Sequence, residues 1–149
     1  MRSFLATTMG AALIAVVATG AIAQHSTNRV VAKTDWRVFV EDDPTECWAV
    51  SSPKETVNTK DGRVVAVRRS EILLFVSYRP GSSVKSELSF TGGYPFANGS
   101  TVSASVGGDT YEFFTSGENA WPASAARGGH IIPPMKRGAE VTFTGRSGR

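Results

Sequence analysis

Side chains that bind metals or act as nucleophiles are scarce in this chain. Its 149 residues hold one cysteine, Cys47, and two histidines, His25 and His130. One cysteine cannot close a disulfide within the chain, and zinc needs three or four convergent ligands at a Cys/His spacing found nowhere here. No metal or cofactor is therefore expected. A glycine-rich phosphate cradle is also missing. The acidic run Glu41-Asp42-Asp43 precedes Pro44 and reads as a solvated turn, not a calcium loop.

Charge of one sign is barely in excess. Sixteen Lys and Arg stand against 13 Asp and Glu, a net +3. Nucleic-acid binding requires a clustered basic face making several phosphate contacts, and the only adjacent basic pairs are Arg68-Arg69 and Lys136-Arg137, far apart in the sequence. A nucleic-acid partner is not expected. Long apolar runs are lacking too: the N-terminal one is broken at Thr7, Thr8 and Gly10, short of the roughly 20 residues that a membrane-spanning helix needs.

That N-terminus has another pattern. Arg2 is followed by an apolar stretch from Ala11 and by Ala21-Ile22-Ala23 before Gln24, the layout of a secretory signal peptide. Residues 1–23 are expected to be cleaved between Ala23 and Gln24. That would place the protein in the periplasm, or secreted to the outer surface, with no stable transmembrane segment. Removal leaves 126 residues with 15 basic and 13 acidic, enough for one ordinary domain. Residues 24–34, with His25, read as a flexible lead-in and 35–149 as the domain.

What the domain does contain is alternation. "TDWRVFVE" sets Trp36, Val38 and Val40 on one face and Arg37, Phe39 and Glu41 on the other, the period of a strand. "ECWAVS", "RVVAVRR", "EILLFVSYR", "SELSFTGG", "STVSASV", "DTYEFFTS" and "AEVTFTG" read as further strands. They are separated by Pro-Gly, Asp61-Gly62, Asn98-Gly99 and Gly107-Gly108 turn signals. This predicts an all-β, single-domain antiparallel β-sandwich with Trp36, Val38, Leu73, Phe75, Leu88, Phe90, Phe113 and Phe143 in its core. Pro133-Pro134 can occupy only a first helical turn, so one short turn is expected from Pro133 to Arg137, stopped by Gly138.

Three kinds of chemistry are compatible with these residues. Cys47 with His130 would make a cysteine-dependent hydrolase or a periplasmic thiol redox protein, if the fold brought them together. Tyr94, Phe96 and Trp121 would make a ligand-contact surface for carbohydrate or peptidoglycan, if exposed in a row. Without either, the chain is a non-catalytic binding or structural protein with a protein or envelope component as partner. Asn98-Gly99-Ser100 matches a glycosylation sequon, although a tight turn explains Asn98-Gly99 equally well.

"DWRVFVEDDP", "ECWAVSSP", "LSFTGGYPF", "FTSGENAW" and "MKRGAEVTFTGRS" occur in this order across nearly all of residues 35–149. Together they resemble the invasion-associated locus B family, exported bacterial proteins linked to host-cell entry. The resemblance implies an antiparallel β fold with no catalytic residues. It also implies a further strand and helix beyond residue 149, often finishing near a second cysteine. Cys47 would then be half of a structural disulfide whose partner is absent from this chain; the alternative is a free thiol packed as a small apolar side chain. Pro133-Pro134 depart from the family, in which a helix runs on through that stretch.

Overall fold

The computed structural model describes residues 29–33, 35–42, 44–83, 86–138 and 140–148. The expected cleavage site at Ala23 and Gln24, and His25, lie outside them. The elements in chain order are β1 (Arg29–Lys33), β2 (Trp36–Asp42), β3 (Thr45–Ser51), β4 (Thr59–Lys60) and β5 (Arg63–Val64). There follow β6 (Leu73–Tyr78), β7 (Ser86–Thr91), β8 (Thr101–Val106), β9 (Asp109–Ser116), β10 (Asn119–Pro122), α1 (Ala125–Lys136) and β11 (Val141–Thr144). The fold is all-β and antiparallel, with one short helix near the C-terminus. Nine strands form one sheet in the order β1-β2-β3-β6-β7-β10-β9-β8-β11, and β4 and β5 form a separate ribbon.

The two facing layers of this architecture are parts of a single rolled sheet. Four strand spacings separate β7 from β11, about 19 Å on a flat sheet, yet the rings of Phe90 and Phe143 stack with centroids 4.2 Å apart. Backbone bonds fasten the roll. The Ala97 N–H donates to the Arg146 carbonyl (2.9 Å) and the Gly148 N–H to that of Pro95 (3.0 Å), around a bridge between Phe96 and Ser147. Phe96 seals the seam. Its ring lies so close to Gly92 and Gly145 that a Cβ on either would come within 2.5 and 2.7 Å of it.

One buried cluster fills the roll: Leu74, Val76, Leu88, Phe90, Phe96, Val102, Ala104, Val106, Phe113, Ala120 and Ile131. Of the expected core, Leu88, Phe90 and Phe113 are buried, while Trp36, Val38 and Phe143 are half-buried. In β6 the phase is the reverse of the expected one. Leu74 and Val76 face the core, and Leu73 and Phe75 lie half-buried on the other side. The run Leu73–Val76 is apolar at every position and carries no alternation from which to read its inner face.

Local differences from the sequence reading have physical causes. Residues 29–33, assigned to a flexible lead-in, pair with β2 as β1. "RVVAVRR" yields only the two residues of β5. Asp61 (φ 51°) and Gly62 (φ 75°) make the tight turn, but among the described residues no strand pairs with those that follow Val64, and valine favours a strand only where it can pack. The helix is longer than the one expected turn. The Ser124 hydroxyl caps it by accepting from the Arg127 N–H (3.2 Å). Gly128 then allows close docking, since a Cβ there would sit 2.9 Å from Pro122. Burial of Ile131 in the core outweighs the poor helix propensity of Gly128-Gly129, and the two prolines fall in the last turn before Gly138 stops it (φ 84°).

Candidate functional site

Cys47 sits in β3 between Val40 of β2 and Tyr78 of β6. Ala49 and Val76 are the next pair on the same face, so the half-buried thiol points to the core side of the sheet. Trp48 points the other way, where it stacks on Phe39 (5.5 Å between centroids, 12° between planes). The ammonium of Lys136, at the end of α1, lies 5.9 Å from the Tyr78 ring. His130 is exposed on α1. The thiol and the imidazole share no hydrogen bond among the described residues. No group of three His, Cys, Asp or Glu side chains placed to hold a metal occurs among them either.

Tyr94, Phe96 and Trp121 are not in a row. Phe96 is a core residue, 6% exposed, and meets the Tyr94 ring edge-on at 5.1 Å. Tyr94 is half-buried beneath the guanidinium of Arg69, 4.8 Å above its ring centre. Burial raises the Tyr94 phenol above its ordinary pKa, against the opposing pull of the Arg69 charge. Trp121 is the most exposed of the three, on the outer face of the roll.

On that outer face Trp121 has a partner that the sequence reading missed. Phe114 of β9 stands directly across from it, and the two are 53% and 37% exposed respectively. Directly opposed residues share a face, with Cβ atoms about 5 Å apart. The signal was present in "EFF", where alternation sends Phe113 inward and Phe114 outward. The register extends the pair into a grid. Thr101 continues the row of Phe114 and Trp121; Thr144, Ser103 and Glu112 form the next row, and Thr142, Ser105 and Thr110 the third. Strand spacing of about 4.8 Å and side-chain spacing of about 6.7 Å make this a regular array of hydroxyls with one carboxylate, bordered by two aromatic rings.

A concavity of about 640 Å³ opens at the turn end of β3 and β6 and is lined by Glu46, Arg79 and the Pro80-Gly81 turn. Arg79 binds Glu46 (2.9 Å) and Glu87 (2.6 Å), and the Glu87 hydrogen bond raises its pKa most. Its charge is thus already met by carboxylates of the chain. No helix among the described residues is long and apolar enough to cross a membrane. No family model, curated protein or solved structure matches this chain.

Proposed function

We propose that this is an exported, non-catalytic binding protein of the bacterial envelope, of the invasion-associated locus B type that its sequence resembles, and that its ligand is an envelope glycan. The supporting observation is the outer grid. Sugars present hydroxyls around their rims and apolar C–H faces on their rings. Serine and threonine hydroxyls at regular spacing match the first, and two exposed aromatic side chains suit the second. Phe114 and Trp121 are large apolar groups left in solvent beside a grid of polar positions, and a bound ring would cover them.

The test is co-sedimentation of the protein with purified peptidoglycan and with neutral polysaccharide. Both aromatics are exposed, so Phe114→Ser and Trp121→Ser should leave the fold intact. Each should weaken glycan binding by about tenfold, the equivalent of about 1.4 kcal/mol. Unchanged binding in the double variant, or no binding by the parent protein, would refute the glycan reading.

A further inference from the structure

The ribbon formed by β4 and β5 concentrates the charge of the molecule. Residues 57–69, around the ribbon, hold Lys60, Arg63, Arg68 and Arg69 against one acid, Asp61, which gives the segment the +3 of the whole chain; the other 12 basic and 12 acidic residues cancel. Arg69 is turned inward over Tyr94. Lys60, Arg63 and Arg68 are exposed, and none of them forms an ion pair among the described residues. Lys60 and Arg63 oppose one another at the tip, next to the pair Thr59 and Val64. The same segment carries exposed apolar side chains. Of the five large hydrophobic residues standing in solvent among the described residues, Val57, Val64 and Val67 are here, and Val64 is the most exposed at 76%.

Cations alone would suit any polyanion. Exposed valines gain nothing from a phosphodiester chain and have no flat ring to stack on a sugar, whereas a bilayer surface accommodates both groups. Apolar side chains enter the acyl boundary while Lys and Arg remain at the head groups. We infer that residues 57–68 form a membrane-contact finger that docks the protein on an anionic phospholipid surface without spanning it. The finger is separate from the outer grid and stands whether or not that face binds glycan.

The experiment measures partitioning of the full chain onto vesicles of phosphatidylcholine, with and without phosphatidylglycerol. Binding is expected only with the anionic lipid, weakening as salt is raised. Each cation removed should cost about fivefold, so Lys60→Gln with Arg63→Gln should weaken binding about twenty-five-fold. Val64→Ser should also weaken vesicle binding while leaving retention on heparin unchanged. Val64→Trp reads insertion at the finger itself, independently of any other contact. Its added emission should shift to the blue and be quenched by brominated acyl chains. All these positions are exposed, and unchanged melting would confirm that the variants fold. An unshifted Val64→Trp emission, equal binding to neutral vesicles, or indifference of vesicle binding to the Lys60 and Arg63 substitutions would overturn the inference. So would tighter binding to DNA or heparin than to anionic vesicles.

Discussion

Replacing Phe96 by alanine should open the seam of the roll before it unfolds the rest. The ring is almost wholly removed from water, lies against the Gly92 and Gly145 backbone, and meets Tyr94 edge-on. Phe→Ala in a core costs about 3–5 kcal/mol, and loss of the aromatic edge contact is worth about 0.5–1.5 kcal/mol of comparable stabilisation. A domain of this size has roughly 5–15 kcal/mol in all, so the variant should remain folded but close to its limit. At about 4 °C per kcal/mol, its Tm should fall by roughly 15 °C. Phe114→Ala, which removes the same side chain from an exposed position, should change Tm by only a few degrees. Hydrogen exchange locates the damage. The amides of Ala97 and Gly148 close the roll and should lose protection in Phe96→Ala, while those of β6 and β7 retain most of theirs. Equal Tm shifts for the two variants, or protected Ala97 and Gly148 amides, would show that Phe96 does not hold the seam.

Gly145→Ala should destabilise the protein by about 1–3 kcal/mol, because its Cβ would lie 2.7 Å from the Phe96 ring. In a Phe96→Leu background the same substitution should cost much less, and additive urea midpoints would refute the steric cause. The Tyr94 phenol, raised by burial, should titrate above the ordinary value of about 10. The folded state holds the neutral form, so its contribution is complete below the unfolded pKa and is lost as pH rises through the folded one. Absorbance titration of the parent against Tyr94→Phe should therefore show a late-titrating phenol that disappears in the variant.

The strand register was legible wherever one face is polar. In β2 the alternation sets Trp36, Val38 and Val40 on the core side, opposite Ser51, Ala49 and Cys47. In β8 small polar residues point outward at every second position. It failed where both faces are apolar, as in β6. The helix was underestimated because its stability resides in contacts of Gly128 with Pro122 and of Ile131 with the core, which no local pattern reveals. β10 is four residues long and lies between β7 and β9, too short for periodicity to register. The candidate aromatics were chosen by residue type. Whether an aromatic lines a core or a surface depends on strand phase, and that put Phe96 inside and Phe114 outside.

The seam has a kinetic side. Phe90 stacks on Phe143, and Phe96 bridges to Ser147, across some fifty residues that include two hairpins and a helix. Neighbouring strands such as β8 and β9 can form quickly around the Gly107-Gly108 turn, because little loop entropy opposes them. Contacts of such separation raise contact order and slow the approach to the native state. β11 therefore docks late, and until it does, Phe90 and Phe113 lack the ring of Phe143. The interval before closure is when the chain is most exposed to self-association.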